Sequence, residues 1–150
     1  MPTMWPGFSW HNLKDGNHPV NDIPRLGGDF MWKQAYKMIS NTNIQTIWMA
    51  QFDEMDEGTA IMKVKAKSSD LPIEGNWLAL DTDGHNLPSD WYLRLAGESQ
   101  RMLNGQRALT NIIPLDPSDP PPATPNPTAP PTAKPTTTSP TTSSPTTPKP

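Results

Sequence analysis

Residues 46–64 decide the fold and read Thr-Ile-Trp-Met-Ala-Gln-Phe-Asp-Glu-Met-Asp-Glu-Gly-Thr-Ala-Ile-Met-Lys-Val. The stretch begins with an apolar run, Ile47 to Ala50, which is too short for a helix and rich in strand-favouring side chains. Strands of (β/α) barrels are buried and present catalytic groups at their C-terminal ends. The pattern therefore predicts a buried strand that carries acidic groups into a cleft. These are four carboxylates within five residues, Asp53, Glu54, Asp56 and Glu57.

The four carboxylates are open to more than one interpretation. Like charges this close repel and raise at least one pKa, which suits chemistry in which one carboxylic acid donates a proton while another stays ionised. Runs of acidic residues are also commonly solvated turns, and grouped carboxylates can hold Ca²⁺. The residues alone leave catalysis, a solvated turn and a calcium loop open.

The composition excludes several classes of protein. A net charge of −3 and a pI near 5.5 argue against nucleic acid as a partner, because nucleic-acid binding needs a basic surface. The chain has no cysteine, which excludes disulfides and thiolate metal sites. No apolar run approaches the roughly 18–20 residues of a membrane span, so no membrane partner is expected. No cofactor or metal is predicted.

The sequence changes character after Leu115. Thirteen of the twenty prolines fall at or after Pro117, and no apolar side chain larger than alanine follows Leu115. Such a segment cannot bury enough surface to offset the entropy of ordering it. We therefore predict a foldable domain over residues 1–115 and a disordered Pro/Thr/Ser-rich linker over residues 116–150. Linkers of this composition are extended, often O-glycosylated, and join modules of secreted enzymes.

The first half of the predicted domain has the order of a βαβ unit. The opening residues are interpreted as the end of a strand, with residues 8–12 as its exit loop. A helix is predicted over residues 29–40 with Asp29 as its N-cap, because apolar side chains recur there on one face. A short loop then leads into the strand that begins at Thr46, which completes the αβ half of the unit.

The second half is expected to add a strand and a helix. Residues 76–80, Asn-Trp-Leu-Ala-Leu, are a strand candidate. Residues 81–84, Asp-Thr-Asp-Gly, resemble the start of a Ca²⁺ loop, but the later ligands are missing, and we interpret them as a turn. The final helix is predicted to begin after Ser89 as its N-cap and to end at Asn104-Gly105. Its inner face carries Trp91, Leu95, Glu98 and Met102.

The chain is rich in tryptophan for its length, and every tryptophan lies in the predicted domain. Large flat rings pack into cores and also lie against sugar rings, and a single tryptophan is more often a core residue. The set favours either a dense core or a sugar-binding cleft, with rings at positions 5, 10, 32, 48, 77 and 91.

Three segments carry a resemblance to a known group of enzymes. They are Pro-Gly-Phe-Ser-Trp-His-Asn at 6–12, Ile-Pro-Arg-Leu-Gly-Gly at 23–28 and Phe-Asp-Glu-Met-Asp-Glu-Gly-Thr at 52–59. Together they resemble the C-terminal part of glycoside hydrolases of the family 71 and family 99-like (β/α)₈ group, most closely its xylosidase/arabinosidase-like subset. The resemblance covers roughly residues 4–104 and implies a partial (β/α)₈ TIM barrel made of its last βα units.

The resemblance also implies roles for two acids. In family 99 endo-α-mannosidases the corresponding strand end reads Asn-Glu-Trp-His-Glu-Gly-Thr. Its first glutamate acts as a base on the sugar 2-hydroxyl and its second as general acid/base, in a retaining mechanism through an anhydro-sugar. By resemblance these roles fall on Glu54 and Glu57. Asp53, Met55 and Asp56 stand where that family has Asn, Trp and His, so the chemistry of the sugar subsite differs.

The predicted substrate is a polysaccharide or glycan, and the predicted location is outside the cell. A carbohydrate-binding module is expected beyond the linker in the parent enzyme. The alternatives are a non-catalytic carbohydrate-binding or remnant module and a calcium-binding acidic loop. Arg25 is equally interpretable as a structural clamp, and an isolated His11 as a loop histidine. The predicted substrate-binding residues are Trp10, His11, Asn12, Arg25, Asp53 and Asp56.

A (β/α)₈ barrel needs about 200 residues or more, so the 150-residue chain is expected to be a fragment that folds poorly and is inactive alone. Missing units would leave open strand edges, which invite aggregation. Size-exclusion chromatography, thermal melting and a glycosidase assay of the isolated chain test this expectation. A monomeric, cooperatively melting product with glycosidase activity would contradict it.

Overall fold

The computed structural model describes residues 1–120, in which two strands, two helices and several 3₁₀ turns follow one another. The strands and helices are β1 (Thr3–Met4), α1 (Asp29–Ile39), β2 (Trp48–Met49) and α2 (Trp91–Leu103). The 3₁₀ turns lie at Asn12–Lys14, Leu26–Gly28, Ser68–Asp70 and Leu80–Asp83. This arrangement confirms the predicted α/β class. Most of the predicted linker, residues 121–150, lies outside the described residues.

β1 and β2 lie side by side as a parallel two-stranded sheet. Thr3 aligns with Trp48 and Met4 with Met49, and the Trp48 amide donates to the Pro2 carbonyl at 2.9 Å. Parallel strands need a long crossover between them, and α1 lies in that crossover. The βαβ unit predicted from the sequence is therefore confirmed.

The prediction that the strand after Thr46 is fully buried is wrong. Ile47 and Met49 pack against the core, whereas Trp48 between them is 54% exposed. Successive side chains of a strand point to opposite faces. Because the sheet of residues 1–120 has two strands and a core on one side, β2 is half-buried and the Trp48 face meets water.

Helix α1 begins where the sequence predicts, but its cap lies one residue earlier. Gly28, and not Asp29, is the N-cap, with a left-handed φ of 99°. Asp29 lies in the first turn, where a negative charge is favourable, and its carboxylate pairs with the ammonium of Lys33. The buried face of the helix carries Met31, Trp32 and Ala35.

The core lies between α1 and α2 and encloses two of the six tryptophans. The Trp32 indole donates to the Thr110 carbonyl at 3.2 Å, and the Trp91 indole donates to the Gly27 carbonyl at 2.8 Å. Each buried ring thereby fixes a segment of chain as well as filling space. The side chains that are 2% exposed or less include Met4, Trp32, Trp91, Tyr92 and Leu95.

Glu98 is a charged residue on the inner face of α2, as the sequence pattern placed it. It is 4% exposed, and its carboxylate accepts hydrogen bonds from the guanidinium groups of Arg101 and Arg107. A buried carboxylate without such partners would be costly, so the two arginines make this position tolerable. The pair with Arg107 also ties the segment after α2 back to the helix.

The start of α2 differs by one residue from the prediction, since Asp90 and not Ser89 is the N-cap. The Asp90 carboxylate accepts a hydrogen bond from the Arg94 Nε at 2.9 Å. Arg94 also donates through Nη1 to the Asp119 carbonyl at 2.7 Å. The first residues of the predicted linker, 116–120, therefore form a turn that contacts α2.

Residues 76–80 do not form the predicted strand. The Leu80 amide donates to the Lys65 carbonyl at 3.1 Å, but no ladder develops beside it among residues 1–120. Without a neighbouring strand to pair with, the chain turns into the 3₁₀ helix Leu80–Asp83, which ends at a left-handed Gly84. The interpretation of residues 81–84 as a turn is confirmed.

Gly28→Ala should destabilise the protein more than Gly84→Ala. Both glycines have a left-handed φ, 99° and 80°, so each substitution costs about 1–2 kcal/mol of backbone strain. A Cβ at Gly28 would also lie 2.4 Å from Leu95 Cδ1, whereas a Cβ at Gly84 meets nothing within 4 Å. Overpacking should add about 1–3 kcal/mol at Gly28. Urea denaturation followed by tryptophan fluorescence measures the difference, and equal midpoints would contradict the packing described here.

Candidate functional site

A cleft of about 260 Å³ opens where β1 and β2 end. In open α/β sheets ligands bind outside the carboxyl ends of the parallel strands, because the exit loops converge there. The cleft follows this rule, since its walls come from the segments of chain that follow β1 and β2. They include Trp5, Phe8, Trp10, Gln51, Glu57 and Thr59.

Aromatic rings form one wall of the cleft. The Phe8 and Trp10 rings lie 4.3 Å apart between centroids at an angle of 50°, and Trp5 packs edge-on against Phe30 at 6.1 Å. Gln34 of α1 fixes Trp5 through its backbone, with Nε2 donating to the Trp5 carbonyl at 2.9 Å. The wall is thus a fixed apolar surface of the kind that packs against a flat ligand face.

The acidic loop, residues 52–62, contributes Glu57 and Thr59 to the same cleft, and hydrogen bonds within its own backbone close the loop. The amide of Thr59 donates to the Glu54 carbonyl at 3.1 Å, and the amide of Met62 donates to the Phe52 carbonyl at 2.9 Å. Gly58 adopts a positive φ of 68°, and its amide donates to the Met55 carbonyl at 3.1 Å. These bonds satisfy the backbone of the acidic loop without using its carboxylates.

The buried side chain of Arg25 holds the acidic loop through hydrogen bonds to the loop backbone. It is 5% exposed and donates through Nε and Nη2 to the Gly58 carbonyl, at 2.9 and 2.6 Å. Burial lowers the pKa of Arg25, an effect that the nearby Tyr92 and Asp83 oppose. The guanidinium also lies over the Tyr92 ring, 5.1 Å from its centroid. Arg25 therefore occupies the clamp position that the sequence offered as one of its two interpretations.

Two residues of the 8–12 segment hold the same loop. The Ser9 amide donates to the Glu57 carbonyl at 2.8 Å, and Asn12 Nδ2 donates to the Asp56 carbonyl at 3.0 Å. Asn12 also reaches the Asn76 carbonyl at 3.0 Å. The exit loop of β1 and the exit loop of β2 are therefore joined directly, and Asn12 acts here on the loop backbone.

Glu57 is the carboxylate that faces the cleft. Partial burial raises its pKa, and the negative charges of Glu54 and Asp56 raise it further. The three carboxylates are therefore close enough to repel one another. A raised pKa favours the protonated form of the carboxyl group, which is the form that a general acid needs.

The structure places the remaining predicted residues in different surroundings. Trp10 lines the cleft, and His11 Nδ1 donates to the His18 carbonyl at 2.5 Å. That bond holds the His11 ring against the backbone of its own loop. Asp53 is exposed, and Asp56 is half-buried. Of the predicted set, the cleft thus brings together Trp10 and Glu57, with Glu54 and Asp56 nearby through their charges.

Trp5, Phe8 and Gln51 line the cleft and were absent from the predicted set. Each stands close after the end of β1 or β2. The segments that follow both strands, and not only the acidic segment after β2, would have predicted these residues, because parallel strands end at the same edge of a sheet.

Within residues 1–120, no three histidine, aspartate or glutamate side chains come together as a metal site. Neither helix of that part of the chain has the length and apolarity needed to span a bilayer. Comparisons with protein families, with curated protein sequences and with solved structures find no match.

Removing a neighbouring charge should lower the pKa of Glu57. We expect Glu54→Gln and Asp56→Asn each to move it toward the ordinary value of 4.5, but not all the way, because burial is the larger cause. Asp70→Asn, in the exposed turn Ser68–Asp70, is the control and should leave it unchanged. Carbon-13 NMR titration of the Glu57 carboxyl measures the three variants.

The raised pKa of Glu57 also has a consequence for stability. Its folded-state pKa lies above the unfolded value, so the folded protein binds this proton more tightly. The contribution of Glu57 to stability should therefore fall as pH rises from about 4.5 through the folded-state pKa. Glu57→Gln should remove this part of the pH dependence, and an unchanged slope would contradict the assignment.

Proposed function

We propose that this protein is a piece of a carbohydrate-active glycoside hydrolase that cleaves a polysaccharide or glycan. The observation that carries the proposal is the position of Glu57. It lines an aromatic cleft at the ends of two parallel strands, with a raised pKa and other carboxylates beside it. A carboxyl group with a raised pKa beside flat apolar rings suits the proton-donating step in the cleavage of a glycosidic bond.

In this proposal Glu57 is the general acid/base and Glu54 its partner. Glycosyl transfer needs a proton for the leaving oxygen and a second group that stabilises the oxocarbenium-like centre. The repulsion between the two carboxylates supports the division of roles, because it favours one protonated and one ionised group. Trp10, Trp5 and Phe8 supply the surface against which a sugar ring packs.

The proposed parent fold is a (β/α)₈ barrel of the family 71 and family 99-like group. The support is a parallel βαβ unit with its candidate acid at the C-terminal ends of the strands, which is where barrel enzymes carry their sites. Secretion and a further carbohydrate-binding module belong to the same proposal and rest on the linker composition of residues 116–150.

A non-catalytic carbohydrate-binding module is the second candidate. The aromatic wall favours it, since binding needs the rings and not the acids. The two candidates differ in turnover. A binding module holds a sugar in the cleft and releases it unchanged, whereas a hydrolase consumes it.

In a chain that contains the complete proposed barrel, Glu57→Gln should lower kcat about 10²–10⁴-fold while substrate binding survives. Glu74→Gln, at an exposed residue outside the cleft wall, is the matched control and should leave kcat unchanged. Release of reducing sugar from a glycan panel provides the rates. Near wild-type turnover in Glu57→Gln would rule out the assignment.

Binding can be tested separately in the 150-residue chain. Trp10→Ala should weaken sugar binding, because it removes part of the aromatic wall, whereas Trp48→Ala removes an exposed ring of β2 and should not. Binding without turnover in the complete barrel would favour the binding module. Equal effects of the two tryptophan substitutions would show that the cleft serves neither the hydrolase nor the binding module.

A further inference from the structure

β2 pairs with β1 along one side only. The Trp48 and Ala50 amides donate to carbonyls of the β1 segment, residues 2–4, each at 2.9 Å. Alternate residues of a strand turn their backbone groups to opposite sides, so the backbone groups of Ile47 and Met49 point away from β1. The N–H and C=O groups of these two residues have no hydrogen-bond partner among residues 1–120. We call this side of β2 the open edge.

A groove of about 360 Å³ lies between β2 and the end of α2. Ile47 and Met49 line it from the strand, and Leu103 and Asn104 line it from the end of the helix. None of the residues described for its walls is charged. The two residues of the open edge therefore border unfilled space that carries no charge.

β2 lacks the features that keep an exposed strand edge from pairing with another chain. Natural edges are blunted by charged side chains, by proline or by a covering segment. Residues 41–52 contain no charged side chain and no proline. Trp48 also presents a ring that is 54% exposed. The open edge therefore favours a polypeptide strand as its partner, because backbone amides and carbonyls are the groups that it leaves unpaired.

We propose that two copies of this chain pair through their open edges, antiparallel and about a two-fold axis at Trp48. In an antiparallel pair, residues that face each other exchange both backbone hydrogen bonds at every second position. With the axis at Trp48, Ile47 faces the partner's Met49 and exchanges both bonds with it. The axis repeats this pair, so the open edges of both copies are satisfied and the two sheets become one continuous sheet.

The exposed ring favours a second copy over another polypeptide. The axis places Trp48 opposite the partner's Trp48 at a position without backbone bonds, where the side chains of an antiparallel pair lie closest. Each ring then covers the other. Because residues 41–52 are uncharged, the axis brings no like charges together. The contact uses the same surface on both copies, so association ends at the dimer.

The dimer does not rest on the proposed function. The cleft is lined after the end of β2, at Ala50 and Gln51. The dimer uses the strand itself and Ile47 before it. In a complete barrel a further strand would occupy the open edge, so the dimer belongs to the 150-residue chain. The two proposals are therefore tested on different residues.

Sedimentation equilibrium of the 150-residue chain measures the dimer. The mass should rise with concentration from 16.6 kDa toward twice that value and go no further. The contact is small, so dilution should separate the copies. A chain that stays at 16.6 kDa at millimolar concentration, or one that grows beyond the dimer, would overturn the proposal.

Charge substitutions at Trp48 locate the axis. Trp48→Lys should weaken association at least about tenfold, because two like charges would face each other, and Trp48→Glu should do so for the same reason. Ile73→Lys changes a fully exposed apolar residue elsewhere and should leave the dimer intact. A dimer of normal strength in Trp48→Lys, or loss of the dimer in Ile73→Lys, would contradict the contact.

An equal mixture of the Trp48→Lys and Trp48→Glu chains tests the axis directly. It should dimerise where neither chain does alone, because opposite charges then face each other across the axis. Recovery of the dimer would also show that both variants fold. Absence of recovery would rule out pairing about Trp48.

Hydrogen exchange identifies the strand edge. The Ile47 and Met49 amides should exchange quickly in dilute solution and at least several-fold more slowly at concentrations where the dimer forms. The Trp48 and Ala50 amides already bond to the β1 segment and should change little. Exchange at Ile47 and Met49 that does not depend on concentration would overturn the proposed pairing.

Sugar binding separates this proposal from the proposed function. Trp48→Lys should lose the dimer and keep the Trp10-dependent binding of sugar, and Trp10→Ala should do the reverse. Sugar binding without a dimer would contradict the dimer alone. A dimer without sugar binding would contradict the function of the cleft alone.

Discussion

The hydrogen bonds from Arg25 to the Gly58 carbonyl are the interaction on which the rest of the site depends. They fix the backbone of the acidic loop at Gly58, the residue immediately after Glu57. The residue that follows Arg25 in the chain, Leu26, has a left-handed φ of 51°, and its amide donates to the Asp83 carboxylate. A non-glycine residue in that conformation costs about 1–3 kcal/mol, and it persists because the surrounding contacts fix it.

Backbone anchoring explains how four carboxylates can share one short loop. Ser9, Asn12 and Arg25 all bond to carbonyl groups of the loop and to none of its carboxylates. A side chain that carried an ion pair would be neutralised and immobilised, and its pKa would be low. Because the loop is held by its backbone, Glu57 keeps a raised pKa and can face a ligand.

The tryptophans divide according to what surrounds them. Trp32 and Trp91 are buried between the helices and donate to backbone carbonyls, whereas Trp5, Trp10 and Trp77 are half-buried along cavities. Residues 1–120 therefore contain both a core that encloses tryptophans and a cleft lined by aromatic rings. Tryptophans occur in both places because residues 1–120 have two helices that enclose a core and two strand ends at which a cleft opens.

The sequence by itself determined the elements whose signals are local. Apolar spacing located α1 and α2 within a residue at each start, and the short apolar run marked the strand that pairs in parallel with β1. The tertiary structure decided what depends on partners distant in sequence. Residues 76–80 have strand-like composition but no strand to pair with among residues 1–120. Arg25 became a clamp only because Gly58, 33 positions away, lies against it. The burial of a side chain, the pairing of strands and the shift of a pKa all depend on contacts between distant segments. The periodicity of one segment therefore cannot predict them.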